Sequence, residues 1–288
     1  MPELEHLLSV QNQLGEGPIW NHLEERLYWV DIERGNFHQF DPNTGNHQVN
    51  EIGLPLGVMG FRAGGGLVMA TKRGFALWDS NKKSLEFVAD PESADYPDGR
   101  FNDGSVDRMG RFWAGTMHKD FSASLYRLDP DLSCHRMETG IKTSNGTGWS
   151  PDNRTFYFTD SPLYTIYAYD FDLQKGTISN RRVFVKCPEG EGFPDGLAVD
   201  SEGFVWSARW GGWKIVRHAP DGSVDREIKL RVELVTSCTF GGAHLDELYI
   251  TSAWIAVKPE NRTAQPLAGD LFRLKAGVRG LPAAFFGG

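Results

Sequence analysis

Short runs of aromatic and β-branched residues recur along the chain, and each run follows a turn rich in polar residues and glycine. The runs are RLYWVDI (26–32), GLVMAT (66–71), RFWAGT (111–116), TFYFTD (155–160), FVWSAR (204–209) and ELYITS (247–252). Their central residues are Trp29, Met69, Trp113, Tyr157, Trp206 and Tyr249. The steps between these residues are 40, 44, 44, 49 and 43 positions, which indicates a repeat of one structural unit.

The layout within each unit also repeats. A strand of small or apolar residues such as GEGPIW (15–20) precedes the aromatic run, a third strand such as NFHQFD (36–41) follows it, and a turn leads into a fourth. Four antiparallel strands in each of six units predict an all-β fold, a six-bladed β-propeller. The sixth unit lacks a clear fourth strand, and LEHLLSV (4–10) is available to supply it and to cover the open sheet edge.

The chain contains no Pro/Gly/Ser-rich linker and no block of like charges that would divide it. We therefore predict one domain over residues 1–288. A β-sandwich and a pair of smaller β-domains are the alternative architectures.

Charge and apolar content limit the classes of partner that the chain can bind. The chain has 30 Lys and Arg against 38 Asp and Glu, a net charge of −8, and it has no basic run of the kind that binds nucleic acid or an anionic membrane. No apolar stretch is long enough to span a bilayer, and the first residues lack the features of a secretory signal. We expect a cytoplasmic protein, a monomer or a weak homodimer, with no nucleic-acid or membrane partner.

Polar residues open the inner strands of four units. In a propeller the first strand of each unit lines the central channel, so equivalent positions in different units become neighbours. These positions hold Glu16, Asn102 with Asp103, Asn145 and Asp195. Asp and Asn beside glycine are also ordinary turn formers, whereas Glu16 lies among small and apolar residues in GEGPIW. Their equivalent placement favours a common site.

Carboxylates that converge in a narrow channel repel one another unless a cation is present. An all-oxygen set of Glu, Asp and Asn selects a hard divalent ion such as Ca²⁺, Mg²⁺ or Mn²⁺, while Zn²⁺ and Fe²⁺ remain alternatives. Three protein ligands would leave positions open for water and substrate, as in a catalytic metal site.

Several motifs resemble the senescence-marker-protein/gluconolactonase family, which includes regucalcin and the sugar lactonases. The motifs run in family order over nearly the whole chain: GEGPIW (15–20), YWVDI (28–32), RFNDG (100–104), GRFWAGTM (110–117), NG with WSPD (145–152), SNRRVF (179–184), PDGLAVDSEGFVWSARW (194–210), TSCTFGG (236–242) and AGDLFRL (268–274). The resemblance implies a six-bladed propeller with one divalent metal in the channel, Ca²⁺ first, and the hydrolysis of aldonolactones.

The resemblance also implies roles for individual residues. Glu16, Asn145 and Asp195 would hold the metal, Asp195 would also be the catalytic general base, and Arg100 and Asn102 would bind substrate. The segment MHKDF (117–121) departs from the regucalcin pattern, in which an acidic residue helps to hold the sugar. We expect His118, Lys119 or Asp120 to take that place.

The sequence therefore predicts a metal-dependent lactonase whose small-molecule substrate is a gluconolactone-like or pentonolactone-like sugar lactone. The metal would polarise the carbonyl, and Asp195 would activate the attacking water. Two alternatives stay open, a propeller hydrolase that acts on phosphoesters and a calcium-binding scaffold protein.

Overall fold

The computed structural model describes residues 4–120 and 122–288. Almost all regular structure in these residues is β-strand, and the strands fall into units that follow the predicted repeat. The first three units consist of β2 (Gly15–Asn21), β3 (Arg26–Asp31), β4 (Asn36–Phe40) and β5 (His47–Glu51); of β6 (Leu56–Phe61), β7 (Leu67–Thr71), β8 (Gly74–Asp79) and β9 (Ser84–Ala89); and of β10 (Arg100–Val106), β11 (Phe112–Met117), β12 (Ala123–Leu128) and β13 (Cys134–Ile141).

The remaining units complete the described chain. They consist of β14 (Ser144–Trp149), β15 (Thr155–Asp160), β16 (Thr165–Asp172) and β17 (Thr177–Lys186); of β18 (Phe193–Val199), β19 (Val205–Trp210), β20 (Lys214–His218) and β21 (Val224–Lys229); and of β22 (Leu234–Gly241), β23 (Glu247–Ala253), β24 (Leu271–Lys275) and β1 (Glu5–Leu8). A short 3₁₀ turn, Ser161–Leu163, follows β15, and a single helical turn, Pro259–Arg262, lies between β23 and β24. No helix in the described residues is long and apolar enough to cross a membrane.

Units one to four each form a separate four-stranded antiparallel sheet, as the repeat predicts. Units five and six share one eight-stranded sheet, in which a single pairing, Trp210 with Leu234, joins two four-stranded halves. The N-terminal strand β1 pairs antiparallel with β24, with Glu5 opposite Arg273. This pairing confirms that the N-terminal segment supplies the missing strand of the last unit.

The first strands of the units contact one another in a closed series, from β2 through β6, β10, β14, β18 and β22 back to β2. Each apolar cluster of the core is shared by two consecutive units. Between the last unit and the first, Trp20 stacks on Tyr249 with ring centroids 5.5 Å apart. The aromatic residues at the centre of the repeat, such as Trp29 and Trp113, are fully buried in these clusters. The beginnings of the six inner strands therefore meet at one end of the ring.

Asp270 fastens the N-terminal segment to the last unit. Its buried carboxylate accepts hydrogen bonds from the Val10 and Gln11 amides, both at 2.9 Å, and lies 2.9 Å from His6 Nε2. We expect Asp270→Ala to lower the free energy of unfolding by about 2–3 kcal/mol, because it leaves backbone donors unpaired beside the core. Urea unfolding measures this change.

The matched control is Asp41→Ala. Asp41 also accepts two backbone amides, from Asn43 and Thr44, but in an exposed hairpin. Water replaces its hydrogen bonds, so the loss of stability should be much smaller. An equal decrease in the free energy of unfolding in the two variants would show that the hydrogen bonds of Asp270 stabilise the fold no more than those of an exposed hairpin.

Candidate metal centre

A cavity of about 310 Å³ lies where the inner strands begin. Its polar walls are formed by residues that the sequence predicts as neighbours, together with residues of the adjoining turns: Glu16, Arg100, Asn102, Thr143, Asn145, Ser161 and Asp195. Its other walls are apolar and are formed by Leu14, Met117, Pro162, Phe193 and Trp210. The structure thus brings together all the predicted metal ligands with Arg100 and Asn102.

Local irregularities in the inner strands aim these side chains at the cavity. The pairing register shifts after Glu16 in β2, after Phe101 in β10, after Asn145 in β14 and after Pro194 in β18. A bulge of this kind kinks a strand and redirects a side chain. Each bulge lies beside the polar residue of its strand, and these polar groups line one cavity.

Glycine next to the polar residue makes this geometry possible. Gly17 has φ of +51°, a conformation that other residues rarely adopt. A Cβ at Gly146 would lie 2.6 Å from the carbonyl oxygen of Asp195, so any side chain there would force the two inner strands apart. The dipeptides Glu16–Gly17 and Asn145–Gly146 are therefore site elements as well as turn signals.

The carboxylates of Glu16 and Asp195 are buried, with 6% and 4% of each residue exposed. Burial is the main cause that raises the pKa of both groups well above the usual range. The negative charges of Asp195 and Asp103 raise the pKa of Glu16 further, while the Gly17 amide, which donates to Glu16 Oε2 at 2.9 Å, lowers it. Without a cation, the site therefore disfavours the ionised form of both acids.

Asn145 is held by a residue that the sequence did not single out. Its Nδ2 donates to Ser161 Oγ at 3.1 Å, and the Ser161 hydroxyl donates to the Pro194 carbonyl at 2.7 Å. These two hydrogen bonds connect β14 to the turn that follows β15, and that turn to β18. They fix the orientation of the Asn145 amide. Ser161 follows the partner strand of Asn145, so hairpin register is the signal that places it near the site.

Arg100 and Asn102 form one polar group on the cavity wall. Arg100 Nη1 donates to Asn102 Oδ1 at 2.5 Å and to the Phe101 carbonyl at 3.0 Å, and Asn102 Nδ2 donates to the Ser144 carbonyl at 2.8 Å. Burial lowers the pKa of Arg100, and the negative charges of Glu33, Glu16 and Asp195 oppose this shift. Arg100 thus places a positive charge beside the two acids.

Asp103 approaches the acids from the other side. It lines a second cavity of about 160 Å³, together with Arg108, Thr147 and Trp149. Its Oδ1 accepts the Gly104 amide at 2.7 Å, and burial raises its pKa to about 6. Asp103 therefore adds a third negative charge near Glu16 and Asp195 without lining the first cavity.

His118 does not line the cavity that holds the other predicted residues. Its Nε2 lies 2.7 Å from Glu92 Oε2, and its ring is buried against Tyr96. Lys119 and Asp120 are exposed and do not line this cavity either.

The donor set fits a hard divalent ion. Within residues 4–120 and 122–288 there is no group of three or more His, Cys, Asp or Glu side chains arranged to hold a metal. The set here instead combines two carboxylates with one amide, whose oxygens are the ligands that Ca²⁺ and Mg²⁺ prefer. Burial and the neighbouring carboxylates raise the pKa of each acid, so a positive charge placed between them would stabilise their ionised forms. Glu16, Asn145 and Asp195 therefore suit a resident cation.

Comparison with known proteins identifies the family. A family model described as the SMP-30/gluconolactonase/LRE-like region matches residues 14–254. The chain belongs to this family, and the resemblance seen in its motifs is confirmed.

Three curated relatives are similar over almost their whole length. The chain is 38% identical to regucalcin of Danio rerio over 287 residues, 97% of each protein. It is 39% identical to the pentonolactonase XacC of Haloferax volcanii over 94% of this chain and 93% of that one. It is 38% identical to a 6-deoxy-6-sulfogluconolactonase of Pseudomonas putida over 96% and 95%.

Two solved structures share the fold closely. A luciferin-regenerating enzyme superposes with a TM-score of 0.93 at 29% identity and full coverage of both chains. A regucalcin from Agrobacterium tumefaciens, described as a calcium-binding protein, also has a TM-score of 0.93, at 26% identity, over 97% of this chain and 96% of that one. The all-β architecture is therefore that of the family.

The raised pKa values predict how pH affects the metal-free protein. A carboxylate whose pKa is higher in the folded state favours folding below its unfolded pKa, and this contribution is lost as pH rises through the folded value. Burial lowers the pKa of His38 to about 3 and that of His218 to about 4, so these histidines favour folding as pH rises toward the ordinary histidine pKa of about 6.5. The effect of the acids is therefore read above that range, and we expect the melting temperature of the metal-free protein to fall as pH rises from about 7 to 8. Added Ca²⁺ should raise the melting temperature, more at pH 8 than at pH 5.

Glu16→Gln serves as the comparison. It removes one of the repelling charges, so the metal-free variant should lose less stability with rising pH and should respond weakly to Ca²⁺. A wild-type melting temperature that increases over this pH range without metal would refute the assignment of the buried acids.

Proposed function

We propose that this protein is a divalent-metal-dependent sugar lactonase that hydrolyses an aldonolactone to the aldonic acid. The observation that carries the proposal is the convergence of Glu16, Asn145 and Asp195 with Arg100 and Asn102 in one cavity. Relatives named as lactonases, 38–39% identical over nearly the whole chain, support the substrate class.

We further propose that the six units are the blades of a six-bladed β-propeller formed by one domain. The closed series of contacts among β2, β6, β10, β14, β18 and β22 supports this view, and so do the apolar clusters shared by consecutive units. In such a ring the cavity lies at one mouth of the central channel.

Glu16, Asn145 and Asp195 would hold the ion, with Ca²⁺ first and Zn²⁺, Mn²⁺, Mg²⁺ or Fe²⁺ as alternatives. The all-oxygen donors and the calcium-binding description of the Agrobacterium regucalcin support Ca²⁺. When bound, the ion would supply Lewis acidity toward the lactone carbonyl oxygen.

Asp195 is the proposed general base. Its carboxylate lines the same cavity as Arg100 and Asn102, where it can accept a proton from an attacking water. It accepts a proton from water as the water oxygen bonds to the carbonyl carbon. The bond between that carbon and the ring oxygen then breaks, and the ring oxygen takes up the proton. The products are a carboxylic acid and a free hydroxyl group.

Arg100 and Asn102 orient the lactone. The Arg100 guanidinium can donate two hydrogen bonds in a planar fork, either to sugar hydroxyls or to the product carboxylate. Asn102 is itself held by Arg100 and by the Ser144 carbonyl, so its amide stays fixed when substrate enters. Such preorganised donors reduce the entropy lost on binding.

The cavity walls point to lactones with few hydroxyl groups on the side away from the metal ligands. Leu14, Met117, Pro162 and Phe193 offer no strong hydrogen-bond partners to a substrate in this cavity, and Trp210 offers only its indole N–H. The Ser161 hydroxyl is already engaged by the Pro194 carbonyl and Asn145. A sugar hydroxyl facing the apolar walls would lose its bonds to water without replacement. Pentonolactones and deoxy-sugar lactones fit these walls better than hexonolactones.

A pair of lactones that differ by one hydroxyl tests this preference. We expect D-fucono-1,4-lactone, the 6-deoxy form, to have a kcat/KM about tenfold higher than D-galactono-1,4-lactone, since one unpaired hydroxyl weakens binding by roughly 1–3 kcal/mol. Met117→Gln should reduce the difference by providing a polar partner. An equal or lower kcat/KM for the deoxy lactone would refute the preference.

Acid release from a panel of aldonolactones tests the function itself. Activity should disappear with EDTA and return with a divalent ion. Asp195→Asn should lower kcat/KM by about 10²-fold or more while the protein stays folded, because both the base and a metal ligand are impaired. Asp221→Asn, which changes an exposed hairpin carboxylate in the same unit, should leave activity unchanged.

A protein that binds Ca²⁺ but releases acid from no lactone would favour the calcium-binding scaffold over the enzyme. Activity that EDTA does not remove would exclude metal dependence.

A further inference from the structure

The connection before Arg100 is unusually long. Ten residues, 90–99, join β9 to β10, whereas the other connections between consecutive units, from unit one to unit six, have two to six residues. The segment DPESADYPDG contains two prolines and several turn formers. Its last residue, Gly99, directly precedes Arg100, whose positively charged side chain lines the cavity of the candidate metal centre.

A buried carboxylate fastens this segment to unit three. Glu92 is only 6% exposed. Its Oε2 lies 2.7 Å from His118 Nε2, and its Oε1 accepts the Tyr126 hydroxyl at 2.6 Å. The Tyr126 oxygen in turn accepts Arg136 Nε at 2.9 Å. Both oxygens of Glu92 are therefore engaged by side chains of unit three or of the turn that follows β11.

The His118 ring supports the segment at two more points. The ring of Tyr96 stacks on it, with centroids 4.2 Å apart and an interplanar angle of 21°. A Cβ at Gly99 would lie 2.1 Å from His118 Nδ1, so the backbone of Gly99 packs directly against the ring. The Gly99 amide donates to the Tyr96 carbonyl at 2.9 Å and closes the final turn of the segment. His118 thus contacts the residue immediately before Arg100.

Arg100 has few other restraints. Both of its hydrogen bonds go to its own strand, to the Phe101 carbonyl and to Asn102, and the Glu33 carboxylate is 4.0 Å away. In β10, Arg100 pairs with Met117, the neighbour of His118. The guanidinium therefore depends for its position on where its backbone is held.

We propose that Glu92 and His118 form a latch that holds segment 90–99 against unit three and so positions Arg100 for the substrate. His118 is then a positioning residue behind Arg100, in place of the substrate contact expected from the sequence. The proposal rests on the proposed lactonase function, in which Arg100 binds the lactone.

Kinetics of the full-length, metal-loaded protein test the latch. His118→Ala and Glu92→Gln should raise KM for an aldonolactone about five- to twentyfold, since a charge-assisted contact of Arg100 is weakened, and should change kcat less than about threefold. His118→Gln keeps an N–H donor for Glu92, so its KM should lie between those of the wild type and His118→Ala.

A double-mutant cycle separates positioning from general stability. In the Arg100→Ala background, His118→Ala should change KM by less than about twofold, because the effects of substituting two interacting residues are not additive. Asp107→Asn is the control: Asp107 is a buried carboxylate at the far end of the same hairpin, bound by Arg111 at 2.7 Å and Trp113 at 2.9 Å. It should lower the melting temperature without raising KM.

Hydrogen exchange gives a readout that does not need activity. Residues 90–99 should exchange faster in His118→Ala than in the wild type, and Asp107→Asn should not have this effect. Unchanged exchange, an unchanged KM, or fully additive KM effects with Arg100→Ala would each overturn the latch. If the wild type hydrolyses no lactone, the proposed function fails, and the exchange experiment alone decides whether the segment is latched.

Discussion

Repulsion between buried carboxylates is the constraint around which this structure is organised. Glu16 and Asp195 lie on bulged inner strands, and both are buried in the wall of the same cavity. Burial and like charge raise the pKa of both, and Asp103 adds to this effect. A divalent ion, or a proton on one acid, relieves the repulsion. The two buried acids therefore destabilise the metal-free protein and, for the same reason, favour the binding of a cation. Arg100, which lies beside them, adds a positively charged donor for an anionic or polar substrate.

Most of the architecture can be predicted from the sequence. The recurrence of short aromatic and β-branched runs can be read directly along the chain, so the runs around Trp29 and Trp113 predict four-stranded antiparallel units. The structure confirms these units and buries both runs almost completely. The role of residues 4–10 follows from the missing strand of the last unit. The hydrogen-bonded link between units five and six, Trp210 with Leu234, has no counterpart in the pattern. One pairing between two sheets does not change which residues are buried.

The candidate site is predictable only in part, for a related reason. Glu16 and Asp195 occupy equivalent positions of a repeat, so topology alone brings them together. His118 instead turns toward Glu92, 26 residues earlier in the chain, and this contact depends on how the connection before β10 folds. Hairpin register places Ser161 near Asn145, but the hydrogen bond between their side chains depends on the turn that follows β15. Side chains outside the repeat therefore need the tertiary structure before a role can be assigned.

Calorimetric titration of the metal-free protein with Ca²⁺ tests the central claim most directly. The account predicts one ion per chain and the release of protons on binding, visible as heats that depend on the ionisation enthalpy of the buffer, because the acids with raised pKa must ionise. Asn145→Ala, which removes the amide ligand and keeps both acids, should weaken binding strongly. Absence of binding, or binding that Asn145→Ala leaves unchanged, would contradict the assignment of this cavity as the metal centre.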